Sequence, residues 1–286
     1  MKTFLICHRG SLGDFILTWP ALYRLKRKLS QYRFLGFGRS EYMRLARRFG
    51  LIDDCRDMES KAVYDFLNGK SFPQGMERPD GAALWLTDCD SAASLLRETA
   101  QLPVVTIKPF PAIAYHVARY YCDMVNRHFP ISVPDDLTFS LPVPDSGEDY
   151  ALIHPGSGGV DKNYTPVLYC KIAGLLRRKF RKVWFVLGPV ELERNEEREY
   201  GSETVCKPRT VNELADLLIG ASLYIGNDSG ASHLAAILGT PAITLYKSTD
   251  PKIWGTLGKM AWHIIGGDET EIVRRVRDCL DAIILE

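Results

Sequence analysis

The sequence predicts an α/β protein made of two doubly wound, parallel-sheet domains. Three observations predict it. From Thr3 to Phe129, short apolar runs alternate with amphipathic segments, the pattern of parallel strands joined by helical crossovers. A proline-rich stretch without helical period, PISVPDDLTFSLPVPDSGED (130–149), then interrupts it and reads as a linker. The alternation restarts at ALIHPG (151–156), and 286 residues are enough for two such domains.

In the first half TFLICH (3–8) reads as a strand and Asp14 to Leu29 as a helix. RFLGFG (33–38) is a second strand, followed by a helix near 41–50. ALWLTD (83–88) and VVTIKP (104–109) are further strands with a helix between them, and Ala112 to Phe129 is a longer helix. In the second half the strands are 151–156, VWFVLG (183–188), LYIGND (223–228) and AITLY (242–246). The helices are Pro166 to Phe180, a charged one at 191–200, 211–221, one from Ser229, and Glu269 to Leu285. The domains are expected at 1–145 and 146–268, with the terminal helix 269–286 a candidate to pack back on the first. In such sheets ligands bind beyond the carboxyl ends of the strands, so two domains of this kind are expected to face a central cleft.

Composition narrows the function. With 46% hydrophobic and 25% charged residues the chain is an ordinary globular protein, and a net charge of +1 argues against nucleic acid as a partner. The apolar run at the N-terminus is far shorter than a signal peptide's core, and nothing approaches the ~20 apolar residues of a membrane span. A cytoplasmic location is expected. The seven cysteines stand singly without C-x-x-C spacing, and the six histidines show no H-E-x-x-H. Neither a disulfide framework nor a metal site is expected, and no cofactor.

Three constellations carry candidate chemistry. In HRGSLGDFILTWPAL (8–22), Gly10 and Gly13 allow a tight turn and close approach to a ligand. Asp14 is either a helix N-cap, worth ~1 kcal/mol, or a cleft-facing carboxylate. In IHPGSGGVDKNYTP (153–166) the backbone N–H groups of Ser157, Gly158 and Gly159 are candidates to cradle a phosphate, with Lys162 neutralising it. The other reading of Lys162 is a solvated loop lysine. In LYIGNDSGASHLAAILGTPAITLY (223–246), a strand ends at Gly226-Asn227-Asp228 and a helix begins at Ser229-Gly230, an anion site by its free N–H groups and positive end. His233 lies one turn in, on the face of Ser229. A lone helical histidine is more often structural, but this one sits at the mouth of an anion site. Asp88-Cys89-Asp90 imitates a D-x-D metal motif and Asp135-Asp136 lies in the linker; both read as structural or solvated.

Taken together, the three resemble glycosyltransferase family 9, the heptosyltransferases. GSLGDFILTWPAL resembles the family's G-x-x-G-D-x-x-x-x-x-P-A-L entry segment, and HPGSGGVDKNYTP its H-P-G-(A/S)…K-x-W-P loop. GNDSGASHLAAILGTPAITLY followed by Ser248-Thr249-Asp250-Pro251 resembles its D-(S/T)-G-x-x-H-L-A-A…G-x-P…G-x-(S/T)-D-P signature. Departures are Tyr164 in place of tryptophan, Lys247 in place of glycine, and Phe-Ile-Leu-Thr-Trp after Asp14. The resemblance implies a GT-B fold and an inverting, metal-independent transfer from a nucleoside-diphosphate sugar, ADP-heptose, to a lipopolysaccharide-core acceptor. Asp14 would be the general base, with Gly13 beside the acceptor. Lys162, His233, Asp228 and the helix start at Ser229-Gly230 would hold the donor and its leaving diphosphate, with Ser157 and Gly158 beside them. Glu191 would bond the ribose. Two alternatives fit in part. A non-catalytic nucleotide-sugar-binding protein would keep the anion site without needing Asp14. A GT-B-fold sugar-nucleotide epimerase would need a carboxylate cluster that the sequence does not locate.

One further feature concerns partners. Between positions 24 and 48 lie nine basic residues, Arg44, Arg47 and Arg48 among them, against Glu41 alone. Each alone reads as solvated; together they favour an anionic partner. An anionic lipid-linked saccharide, with peripheral contact on the anionic inner face of the inner membrane, is expected.

Overall fold

A computed structural model describes residues 2–285 except 89, 136, 144–147, 195 and 202. Cys89 of the D-x-D look-alike, Asp136 of the linker pair and the expected domain boundary at 145/146 therefore lie outside the described residues. By contact density the chain divides into Met1–Leu137 and Thr138–Glu286.

The first unit runs β1 (Thr3–His8), α1 (Leu12–Leu17), α2 (Trp19–Lys28), β2 (Arg33–Gly38), α3 (Ser40–Arg48), β3 (Asp54–Asp57) and α4 (Lys61–Leu67). It continues with β4 (Gly81–Trp85), α5 (Asp90–Arg97), β5 (Val104–Ile107) and α6 (Val117–Asn126). Its strands pair in parallel in the order β3-β2-β1-β4-β5. Alternate residues of a strand face opposite sides. Leu5 and Cys7 join Ala82 and Leu84 against Phe66 and Leu96 of α4 and α5. On the other face Phe4 meets Phe34 and Phe129, and Trp85 packs edge-on to Tyr121 of α6 at 6.3 Å.

The helix expected from Asp14 to Leu29 is two helices. Pro20 has no N–H to continue the first, so α1 closes at Thr18, whose N–H bonds Phe15 O at 3.0 Å, and α2 starts afresh. The longer helix expected at 112–129 is shortened to α6, which His116 caps by accepting the Ala118 N–H at 3.2 Å.

The second unit runs β6 (Glu148–His154), α7 (Pro166–Leu176), β7 (Lys182–Val186), α8 (Pro189–Glu193), β8 (Val205–Cys206), α9 (Val211–Gly220) and β9 (Ala221–Asn227). Then come α10 (Gly230–Ile237), β10 (Ala242–Tyr246), α11 (Pro251–Trp254), β11 (Ala261–Ile265) and α12 (Glu269–Leu285). Its six strands are parallel in the order β11-β10-β9-β6-β7-β8. The charged helix expected at 191–200 is instead α8 and a 3-10 turn, Glu196–Tyr200.

Two features bear on where the second unit begins and ends. The linker is fastened: Phe139 and Leu141 are buried, and their N–H groups bond Leu257 O at 2.9 Å and Ile237 O at 2.7 Å. That places 138–143 in the second unit. The terminal helix also belongs there. Ile272, Val276 and Leu280, one face of α12, are buried in one core with Leu168 and Ile172 of α7 and Ile225 and Leu245 of the sheet. Its apolar stripe is buried within the second unit's own core.

Each sheet has one point where the strand order turns back, between β1 and β4 in the first unit and between β6 and β9 in the second. Loops leaving neighbouring strands part there, which opens a crevice for a ligand.

Candidate active site

At the switch point of the second unit the register pairs His154 with Gly226, so the loop after β6 and the end of β9 emerge side by side. A buried network ties them. Tyr169 O–H bonds the Asn227 side-chain oxygen, and the Asn227 amide donates to Pro155 O and, at 3.1 Å, to Asn163 Oδ1. Ser157 Oγ lies 2.6 Å from the same Asn163 oxygen. Ser232 Oγ donates to Asn227 O, and Tyr224 O–H lies 3.0 Å from the same Ser232 Oγ. Buried polar groups persist only when paired, and this set fixes the loop's path against the sheet.

The network presents a charge cluster. Lys162 Nζ lies 2.7 Å from Asp228 Oδ2, and His233 Nε2 lies 3.6 Å from Asp228 Oδ1. Asp228 and His233 are nearly buried, while Lys162 keeps 39% of its side chain exposed. Burial by itself would raise the Asp228 carboxyl, but the hydrogen bond and charge of His233 and those of Lys162 together hold it well below the usual carboxylate range. Ser229 caps α10, accepting the Ser232 N–H at 3.4 Å, and Gly230 opens the helix. The expected residues Lys162, Asp228, Ser229, Gly230 and His233 thus come together in one place. Ser157 is buried beside them, and Gly158 lies exposed on the loop.

A depressed carboxylate stabilises the fold above its unfolded pKa, ~3.9, and loses that contribution only as pH falls through the lower folded value. Asp228→Asn should therefore be less stable than wild type at neutral pH, with the gap closing only in acid below the ordinary carboxylate range. Denaturant titrations across pH measure this. A constant gap at every pH would show that Asp228 is not held ionised by these partners.

Glu191 is 3% exposed and accepts the Gly188 N–H at 2.8 Å, so it caps α8 from within. A Cβ on Gly156 would fall 1.9 Å from Glu191 Oε1, which explains the glycine there. His154 stands between the two halves of the site, Nε2 4.0 Å from Glu191 Oε2 and Nδ1 3.4 Å from Ser229 Oγ. Burial lowers its imidazole, while Glu191 pulls the other way. The sequence departures also meet. Lys247 Nζ bonds Asn163 O at 2.9 Å and lies 5.8 Å from the Tyr164 ring centre, and Tyr164 O–H donates to Tyr246 O.

In the first unit Asp14 is not the N-cap but the third residue of α1. Ser11 caps the helix, and Asp14 Oδ2 accepts the Ser11 N–H at 3.1 Å and its O–H at 2.8 Å, a reciprocal capping box. Asp14 is half-buried and Gly13 is buried in the first helical turn. On α3, Met43, Leu45 and Ala46 face inward and Arg44, Arg47 and Arg48 lie exposed, one turn apart. The rest of the basic segment is less available than its count suggests. Lys26 pairs with Asp53 at 2.8 Å, Arg33 with Asp54 at 3.0 Å, and Arg24 bonds Pro20 O and Ser132 O. Among the described residues no group of three or more His, Cys, Asp or Glu is placed to hold a metal ion, and no helix is long and apolar enough to cross a membrane.

Sequence reasoning missed Asn163, Asn227, Tyr169 and Ser232, and it quoted His154 without giving it a role. Asn163 and Tyr169 meet Asn227 across 64 and 58 residues of sequence, and Ser232 closes a local turn onto Asn227 O, so no motif marks them.

The family model of glycosyltransferase family 9 (heptosyltransferase) matches residues 94–282. The chain belongs to this family. Lipopolysaccharide heptosyltransferase 1 of Salmonella typhimurium is 32% identical over 115 residues, 39% of this chain and 36% of its own length. Its Escherichia coli K12 counterpart is 30% identical over 138 residues, 47% of this chain and 40% of its own. The matched stretch thus spans well under half of these curated relatives. The solved E. coli heptosyltransferase WaaC with ADP superposes with a TM-score of 0.77 at 18% identity, covering 98% of this chain and 99% of that one. At that identity the likeness speaks for the fold, and the two parallel-sheet units are of the GT-B type.

Proposed function

We propose that this family 9 chain transfers heptose from an ADP-linked donor to an anionic, lipid-linked saccharide of the lipopolysaccharide-core type, with inversion and without a metal ion. The observation that carries the reading is the cluster of Lys162, Asp228 and His233 around the start of α10. A diphosphate leaving group develops negative charge as the anomeric bond breaks. Two cationic or hydrogen-bonding side chains and a helix N-terminus, fixed by a buried network, stabilise that charge where a metal would otherwise do so. Asp228 keeps Lys162 in place before the donor arrives, and its carboxylate accepts from a sugar hydroxyl once Lys162 turns to phosphate. Glu191 is the proposed partner of the ribose hydroxyls. WaaC, of the same fold, is described with ADP, which supports adenine as the base.

In the first unit Asp14 takes the proton of the acceptor hydroxyl as it attacks the anomeric carbon from the face opposite the diphosphate. The transition state is oxocarbenium-like, as in glycoside hydrolysis. Gly13, next to Asp14 in the first helical turn, is the proposed neighbour of the acceptor. Arg44, Arg47 and Arg48 on α3 attract the anionic acceptor or the lipid leaflet that carries it.

Thermal shifts with ADP-, GDP-, UDP- and TDP-sugars test the donor. At a hundredfold excess over Kd an ADP-sugar should stabilise the chain by about 2.7 kcal/mol, while the others shift it little. An equal response to all four, or to none, counts against an ADP-linked donor. Reversing Arg44, Arg47 and Arg48 to Glu should raise the acceptor KM severalfold and abolish salt-sensitive co-sedimentation with anionic vesicles, leaving donor affinity unchanged. An unaltered KM at low salt would mean that α3 is only a solvated surface.

A further inference from the structure

At the carboxyl end of β1 the His8 side chain is buried at 2% exposure, and its Nδ1 accepts the Gly10 N–H at 3.2 Å. A ring nitrogen that accepts carries no proton, so the proton sits on Nε2. Burial lowers this imidazole to about 3, so the ring is neutral at physiological pH. Nε2 is buried and has no hydrogen-bond partner among the described residues. A bare buried N–H is destabilising, and a leucine would fill the space without one. Packing alone does not account for a histidine here.

What the ring does that a hydrocarbon cannot is hold Gly10. A Cβ on Gly10 would lie 2.8 Å from His8 Cε1 and 3.0 Å from Asp14 Cβ, so the glycine backbone is wedged between the ring and the candidate base. Ser11, the next residue, makes both bonds to Asp14 Oδ2. Contact therefore runs from His8 through Gly10 and Ser11 to the carboxylate, at the switch point of the first sheet.

We propose that His8 is a positioning residue: its Nδ1 clamps the Gly10 N–H and so fixes the loop that presents Asp14 to the acceptor hydroxyl. This rests on the reading of Asp14 as the base. A small misplacement of a base lowers turnover steeply without touching donor binding.

The test compares His8→Leu with His8→Asn, whose Oδ1 reaches the place of Nδ1. His8→Leu should melt at or above the wild-type temperature and bind ADP as wild type does. Its Gly10 and Ser11 amides should exchange faster, and kcat should fall by ~10–100-fold. His8→Asn should restore slow exchange and most of kcat. Wild-type exchange at Gly10 in His8→Leu, wild-type kcat in that variant, or an Asn variant no better than Leu each overturns the proposal. If His8→Leu does not fold, His8→Asn is compared with His8→Gln, which reaches the Nε2 position instead; equal activity in those two overturns it as well. An Asp14→Asn enzyme as fast as wild type would fault the base assignment instead, and amide exchange at Gly10 then decides the clamp by itself.

Discussion

Replacing Asp14 by Asn is expected to lower kcat by ~10²–10⁴-fold, the usual effect of removing a general base, while the fold and the donor Kd hold. The reason to expect an intact fold is local. Asp14 accepts two bonds from Ser11 through one oxygen, and the Asn side-chain oxygen can accept the same pair. The loss of stability should therefore stay within the ~1 kcal/mol of a helix cap. Steady-state kinetics, an ADP-binding isotherm and a melting curve on one preparation measure all three. Wild-type turnover would remove Asp14 from the mechanism. A large drop in melting temperature with proportionate loss of donor binding would mean that its service is to the helix alone.

The second large effect is expected at the donor site. Lys162→Ala and His233→Ala should each weaken binding of the nucleotide diphosphate by ~1–3 kcal/mol, the worth of a charge-assisted hydrogen bond. The two should differ in stability. Removing Lys162, which is 39% exposed, leaves Asp228 with His233 still beside it. Removing His233, itself 5% exposed, opens space beside the buried Ala231, Ser232 and Leu234, so its melting point should fall further. Calorimetric titration with ADP separates the contributions. An unchanged Kd in both variants would mean that the diphosphate lies elsewhere.

How far the sequence led differs between fold and site. The central strands were legible because they are buried on both faces and read as unbroken apolar runs, as in β1, β6 and β9. The strands it missed are at the sheet edges. β3 is DCRD, β8 has two residues and β11 is short and half-exposed, so none shows an apolar run or a clean alternation. Missing β3 had a consequence for charge. Asp53 and Asp54, which neutralise Lys26 and Arg33, flank or begin that strand, so a count along positions 24–48 overstates the available cations. Asp14 as the third residue of a capping box was readable, since Ser11 and Asp14 have the required spacing. The pairing of Lys162 with Asp228 was not readable, because 66 residues separate them and only the β6–β9 register brings them together.

The measurement closest to the central claim is a transfer reaction in EDTA. The chain, ADP-heptose and an anionic lipid-linked saccharide are incubated together, and the product's anomeric configuration is read by NMR. The account predicts heptosyl transfer with inversion at the anomeric carbon, at a rate that EDTA does not change. Retention of configuration, an epimerised nucleotide sugar formed without acceptor, or a reaction stopped by EDTA and restored by magnesium or manganese would contradict it.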